Sequence, residues 1–478
     1  MRTCFQRCVQ LILPALTTII SVAGFGQGAQ MFPQLRATAK TSEGAVNVMQ
    51  FVGADIGEQT NAAIASLPGG CGEVVIPPGT YPQTSTIIMP RCVKLHGASG
   101  YGTTLKFAPT ATPGWSIIVA DNLGDGYYSE GAIEDLALSG PGAGTTAGGI
   151  YIGGSDGQTG SPALTCDPPT VTICDPATNY GDHVNINRVK VGIQSAGCNT
   201  GFGVGIRFGN NAWSDSILES AIDCNGTGVY FPSGLNNSGE RLGIIGSSIQ
   251  NSSRSGSGIA IRTGGGIATL DLQLIDCSLD YNASWAIQNG NSAGNQTIEV
   301  TDSHIEQAAK YFQNYGVMTI TGTSFVGGSQ SGALGYLVDN KFNGLTIVGG
   351  YLHNDGKGLI NNPGGIGGVW VGVTATSAIN NTLVNIDRLN GTINTNGTIS
   401  MSSTNQTSSN QYAGVSSCRG GMKEITLPRT YNSQPVISVF DETTQGGVSL
   451  IAKTRSGFTV SCAGVGDTFD WIVVGNPN

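Results

Sequence analysis

The strongest constraint on this chain is a motif that keeps returning: apolar-x-apolar-x-(Gly/Asp)-small-x-apolar. It reads Leu242-Gly-Ile244-Ile-Gly246-Ser-Ser-Ile249, then Leu272-Gln-Leu274-Ile-Asp276-Cys-Ser-Leu279, then Ile298-Glu-Val300-Thr-Asp302-Ser-His-Ile305. Weaker copies are Met318-Thr-Ile320-Thr-Gly322-Thr-Ser-Phe325 and Leu345-Thr-Ile347-Val-Gly349-Gly-Tyr-Leu352, and the segments Ser216 to Ile222 and Ile133 to Leu138 keep the register upstream. The copies recur roughly every 20–30 residues, the period of a solenoid. Two alternating apolar residues, a bend residue and a further apolar residue spell strand, turn, strand. Stacked coils of this kind make parallel sheets around an apolar core, each coil needing only its neighbours. The 73 glycines and a charged fraction of only 11% suit many tight turns.

At the start, Val46 to Phe51 alternates like a strand. Asp55-Ile-Gly-Glu58 predicts a capping box, and Ile56, Ala63, Ile64 and Leu67 share one helical face. Pro68-Gly69-Gly70 stops that helix. A helix there would cover the open end of the solenoid, whose strand edges need protection. The runs Phe51-Val-Gly-Ala-Asp55, Asn61-Ala-Ala-Ile64, Gly72-Glu-Val-Val-Ile-Pro77-Pro-Gly-Thr-Tyr81 and Val93-Lys-Leu-His-Gly97 resemble the N-terminal module of pectate-lyase-like proteins. That group includes rhamnogalacturonase, epimerase-like and phage tailspike-like members. The resemblance is carried by about 50 residues, extends less specifically through the coil register to about residue 400, and implies a right-handed parallel β-helix. It transfers no catalytic residue: the Asn-Thr-Asp, Asp-Asp, Gly-His-Gly and Arg-Ile-Lys segments of polygalacturonase-type members are absent, as is the Trp-Ile-Asp-His-like segment of the calcium-dependent lyases.

The expected organisation is a signal peptide over 1–28, a β-helix over 45–400, a polar linker over 401–411 and a small antiparallel β-sandwich over 412–478, with five short strands. Arg2 and Arg7, the apolar stretch Val9 to Val22 and the small residues around Ala23 to Ala29 carry the signal. Secretion, periplasmic or extracellular, follows, and no other segment has the length of a membrane span. The net charge of −9 becomes about −11 without the signal and argues against nucleic acid as partner. A polysaccharide is the expected partner, and the sequence leaves oligomerisation open.

Of 11 cysteines, Cys4 and Cys8 belong to the signal. Cys166 with Cys174, in an insertion at about 154–182, and Cys71 with Cys92, Cys198 with Cys224 and Cys418 with Cys462 are the expected pairs. Cys277 is left over, in a motif slot that otherwise holds small residues, and reads as a packed free thiol. No Cys/His spacing suits zinc. Gly201-Phe-Gly203-Val-Gly205 lacks the following helix of a phosphate loop.

In stacked coils, equivalent positions of neighbouring rungs lie about 4.8 Å apart. The slot after the last apolar residue holds Asp223, Gln250, Asp280, Glu306, Val326 and His353, and the slot before it holds Ser248, Ser278, His304, Ser324 and Tyr351. The two columns predict a polar, acid-rich strip along which a linear polymer could lie. Glycoside cleavage needs two carboxylates. Asp223, Asp280 and Glu306 are therefore the expected catalytic acids, with His304 tuning them and Gln250, Tyr351 and His353 binding sugar. No cofactor is required, although the stripe's oxygens also suit Ca2+. With Arg254 as base, that arrangement would give β-elimination. A solvated acid ladder with no catalysis, on a binding or surface-attachment protein, is the competing reading. Asp276 and Asp302, which share their slot with glycines, read as bend residues. Whether Asp223, Asp280 and Glu306 line a cleft walled by the insertion at about 154–182 discriminates the two readings, since an open flat face there would favour binding over catalysis.

Overall fold

The computed structural model describes residues 44–478 except 100, 111–113, 121–129, 163–180, 195–197, 254–255, 268, 293, 295, 327–335, 342–343, 354–357, 362–367, 372–373, 376–410, 428–429, 442–446 and 475–478; for 336–337, 351–375, 411–413, 419–420, 441, 464–467 and 474 it describes the backbone alone. The signal, the Cys166/Cys174 hairpin, Arg254 and the linker thus lie outside the described residues.

The chain winds as a right-handed parallel β-helix. Each coil contributes a strand to one of three faces in turn, as in Leu242–Ile245, Ser248–Gln250 and Ile259–Thr263. The first sheet has twelve strands, from Ala45–Asn47 to Gly368–Val371, and the third has ten. The second runs as six strands and then four, joined through single bridges at Ser278. All pairs in these sheets are parallel and in register, for example Ile217 with Ile244, and Ile244 with Leu274. The repeating apolar positions point inward and are fully buried, including Ile244, Leu274, Val300 and Ile320 on the first sheet and Ile222, Ile249 and Ile305 on the second. The motif maps onto the corner between these two sheets. Its bend residue sits in left-handed backbone in every coil: Glu219 at φ 46°, Gly246 at 59°, Asp276 at 53°, Asp302 at 47° and Gly322 at 63°. Glycine meets no Cβ penalty there, and aspartate tolerates it better than most residues.

The small slot after the bend is a ladder of side-chain hydrogen bonds. The hydroxyls of Ser220, Ser247 and Ser303 donate to carbonyls two residues back, at 2.7, 3.0 and 2.9 Å. They accept backbone N–H bonds from the preceding rung, Val189, Ser220 and Cys277, at 3.1 Å each. Cys277 stands in this ladder, buried and unpaired, and burial raises its thiol pKa to about 11. Further along the coil, buried Asn289, Asn314 and Asn340 stack amide on amide at 2.9 Å per step. Cys71–Cys92, Cys198–Cys224 and Cys418–Cys462 are disulfide-bonded.

The helix Ile56–Ala65 caps the first coils. Asp55 accepts the N–H of Glu58 at 2.9 Å, as the capping box requires. Glu58 reaches back one residue further than expected, to the N–H of Ala54 at 2.7 Å. The second oxygen of Asp55 accepts the hydroxyl of Thr84 at 2.6 Å and the N–H of Ser85 at 2.7 Å, so the cap also ties the helix to the following coil. Burial alone would raise the pKa of Asp55; the bonds from Thr84, Glu58 and Ser85 outweigh it and hold it at about 2.

Among the described residues, the C-terminal segment is an antiparallel sheet of four strands, not five. The expected strands at 458–460 and 469–474 are one strand, Gly457–Val474, paired with another long strand, Gln411–Thr426. Val436–Asp441 pairs with one end of Gly457–Val474 and Val448–Lys453 with the other. Laid straight, Phe458 and Trp471 would be roughly 43 Å apart. Their rings are 5.4 Å apart, so the strand doubles back on itself. Register shifts between Ser417 and Gly421 mark where the pairing breaks and the bend falls.

Candidate functional site

The two sequence-derived columns are real columns on the second sheet. Asp223 pairs with Gln250, and Glu306 with Val326 and then the backbone of His353. Bridges from Ser248 to Ser278 and from Ser278 to His304 bring Asp280 into line between Gln250 and Glu306. Ser324 continues the neighbouring column to the backbone of Tyr351. The side chains of Tyr351 and His353 are outside the described set.

The column is less open than the pattern suggested, because Asp223 is 7% exposed and Asp280 8%. Asp223 holds one oxygen, Oδ1, buried with no hydrogen-bond partner. Burial raises its pKa to about 6, against opposing effects from Gln250 and Lys190. Asp280 is a clasp. Its Oδ2 accepts the Ser278 hydroxyl. Its Oδ1 accepts the Glu306 N–H at 2.8 Å and lies 3.3 Å from Nδ1 of His304. Glu306 sits on the next rung, its Oε1 3.5 Å from the Tyr281 hydroxyl. Asp223 and Asp280 are two rungs apart, about 9.6 Å at the strand spacing.

Beside this column, at the corner with the first sheet, runs a groove of ≈ 510 Å³. Ser248, Ser278, His304 and Ser324 form one wall. The bend residues Glu219, Asp276 and Asp302 form the other, so Asp276 and Asp302 both make the turn and line the groove. Reading them from sequence as bend residues alone missed the second role. Their place two residues before the Ser/His column was the available signal.

Asp280, His304 and Glu306 bring one potential ligand atom each within 4.8 Å of one another, as do His96, Glu134 and Asp135. Calcium takes roughly six to eight oxygens. Two carboxylates and an imidazole, with both oxygens of Asp280 already engaged, do not fit it.

The insertion starts elsewhere than over the acids. Its described part lies on the outer face of the third sheet. The Trp115 indole N–H donates to the Gly160 carbonyl at 3.0 Å. Arg207 holds Asp156 through two bonds of 2.9 and 2.7 Å and the Thr159 carbonyl at 2.9 Å. The described part of the insertion therefore does not wall the acid column.

Among solved structures, the chain is similar to a tailspike protein of E. coli bacteriophage HK620, determined in complex with a pentasaccharide. The TM-score is 0.53 at 10% identity, over 91% of this chain and 94% of that one. It is also similar to full-length tailspike protein 2 from E. coli O157:H7 bacteriophage CAB120, with a TM-score of 0.48 at 12% identity, over 92% of this chain and 63% of that one, so it spans less than two thirds of that protein. The catalytic unit of a GH87 α-1,3-glucanase from Streptomyces thermodiastaticus matches with a TM-score of 0.44 at 16% identity, over 76% of this chain and 70% of that one. No protein-family model and no curated protein matches the chain. The HK620 likeness bears on fold, and the fold is the parallel β-helix.

Proposed function

We propose that this chain is a secreted, polysaccharide-active β-helix protein of pectate-lyase-like type that hydrolyses a glycosidic bond on its second sheet. Asp223 is the general acid and Asp280 the general base. The observation that carries this reading is the buried carboxyl of Asp223, with a pKa raised to about 6 and one unpartnered oxygen, two rungs from a second carboxylate. An acid must stay protonated near neutral pH to deliver its proton. A separation of about 6.5–9.5 Å leaves room for a water opposite the leaving oxygen, the inverting arrangement. Asp223 protonates the glycosidic oxygen as the C–O bond breaks, and Asp280 takes a proton from the attacking water. His304, the Ser278 hydroxyl and the Glu306 N–H orient Asp280. Gln250 holds Asp223, and the hydroxyls of Ser248 and Ser278 bind sugar along the groove. The HK620 tailspike, with its bound pentasaccharide, supports a saccharide ligand on this fold.

One observation favours a binding-only protein instead: both oxygens of Asp280 are already hydrogen-bonded, as in a structural clasp. Release of reducing ends from a polysaccharide panel separates the two. Hydrolysis is expected from the native chain and is lost in Asp223→Asn and Asp280→Asn, with glycan binding retained. Binding without cleavage by the native chain would leave only the second reading.

A further inference from the structure

The outer face of the third sheet carries a second strip, of opposite charge. Arg207, Tyr230, Arg262, Gln288, Gln313 and Asp339 succeed one another in register, one per rung. Three residues upstream on the same strands, Trp285 and Lys310 form a parallel column. At the N-terminal end Arg207 is 2% exposed and neutralised by Asp156 of the insertion, which closes the strip there. Beyond it the face is half-exposed. Tyr230 lies between two guanidinium groups, Arg207 at 5.4 Å and Arg262 at 5.3 Å, and the Lys310 ammonium sits 4.6 Å from the Trp285 ring.

Arg262 and Lys310 are the informative pair. Among the described residues neither has a carboxylate within ion-pair distance. The nearby carboxylate of Asp339 is engaged by Lys341 at 3.0 Å and by the Gln313 amide at 3.4 Å. Burial pulls the pKa of Lys310 down, against the pull of Asp339, so its charge is incompletely compensated. In a chain of net charge −9, two half-buried cations held on aromatic rings, with no carboxylate at ion-pair distance among the described residues, form a local positive site with apolar platforms. The two cations are two rungs apart, about 9.6 Å along the helix axis. Between them, Gln288 donates to Gln313 at 2.8 Å, and its own carbonyl oxygen has no hydrogen-bond partner among the described residues.

We propose that this face binds an anionic polysaccharide, its acidic groups on Arg262 and Lys310 and its sugar rings along the Tyr230, Gln288 and Gln313 strip. The site is separate from the acid column of the second sheet and does not require that column to be catalytic. The test is affinity electrophoresis of the full chain in gels holding dextran sulfate, alginate or neutral dextran. Retardation by at least one of the two anionic polymers and not by dextran is expected. Arg262→Gln with Lys310→Gln should weaken that retardation at least tenfold, and Arg262→Lys with Lys310→Arg should retain it, which separates lost charge from lost packing. Asp223→Asn should leave it unchanged, so failure of the hydrolase reading and failure of this site are told apart. No retardation by either anionic polymer, equal retardation by neutral dextran, or unchanged retardation in the double glutamine variant would overturn the proposal.

Discussion

Replacing Asp223 by Asn tests the site through stability and activity together. The native carboxyl titrates at about 6 instead of the ordinary 3.8, because burial penalises its charged form. A raised acid pKa has a definite sign. The residue costs nothing below about pH 3.8, where it is protonated in both folded and unfolded chains. Stability falls as pH rises from there to about 6, and above that the loss is constant. The rise from 3.8 to about 6, at ~1.36 kcal/mol per tenfold change in proton affinity, makes that loss about 3 kcal/mol at pH 7. With the residue only 7% exposed, solvent screening reduces this little. Asparagine keeps the shape and is neutral at every pH. In urea melts the variant should match the native chain at pH 3.5 and exceed it by up to about 3 kcal/mol at pH 7, the gap opening between. Hydrolysis by the native chain should decline as pH climbs through about 6, since the acid loses its proton, and the variant should be inactive throughout. A gap that does not change with pH, or a variant less stable at pH 7, would refute the assignment of a neutral buried carboxyl. Full turnover by the variant would remove Asp223 from catalysis.

Other positions test the frame around the site. Asp55→Ala should cost about 1–2 kcal/mol, as for a lost N-cap, read in urea melts at pH 7. Because the pKa of Asp55 is lowered to about 2, its contribution is present above about pH 4 and vanishes as pH falls through 2. Asp276→Gly should be close to neutral, relief of the left-handed backbone at φ 53° offsetting the added chain entropy. Asp276→Val should destabilise by about 1–3 kcal/mol in the same melts. Asp215, 2% exposed, is the one carboxyl in the inward column that elsewhere holds Val184 and Leu242, and burial raises its pKa well above the ordinary value. Asp215→Asn can still accept the Val184 N–H, now 2.8 Å from Oδ1. It should raise the thermal midpoint at pH 7 and leave it unchanged near pH 3.5.

What the sequence revealed and what it hid follow from one property of a coil. The first and second sheets meet at a two-residue corner, so an eight-residue window contains residues of both strands and the left-handed residue between them. The copies from Leu242, Leu272 and Ile298 announce the fold, the buried small slot of Cys277 and the acid column alike. The third sheet follows a loop of varying length, so its strands fall out of any fixed motif. Val204-Gly-Ile206-Arg-Phe208, Thr227-Gly-Val229-Tyr-Phe231, Ile259-Ala-Ile261-Arg-Thr263 and Trp285-Ala-Ile287-Gln-Asn289 share an outward polar or aromatic residue at the fourth place. That pattern becomes visible only once the chain is cut into coils. The C-terminal sheet failed differently. Its long strands carry Gly and Asp at 463–467, which read as turns in isolation, and the pairing of Gln411–Thr426 with Gly457–Val474 overrides them.

Column geometry also explains why the burial of the acids could not be foreseen. Alternation along a strand says only that Asp223 and Asp280 face away from the core. How much water reaches them depends on neighbours far off in sequence. For Asp280 these are Ser278 and His304, which close over it from its own rung and the next. For Asp223 the neighbouring rungs supply Lys190 and Gln250, and the adjacent Cys224 is tied to Cys198. Both carboxyls end up nearly buried, 7% and 8% exposed, and at Asp223 that burial raises the pKa to about 6. The repeat thus places the two carboxyls two rungs apart, while the side chains that neighbouring rungs put beside them set how much water reaches each. Substitutions at the strand neighbours Gln250 and Lys190 are therefore where the pH dependence of Asp223 should move without moving the fold.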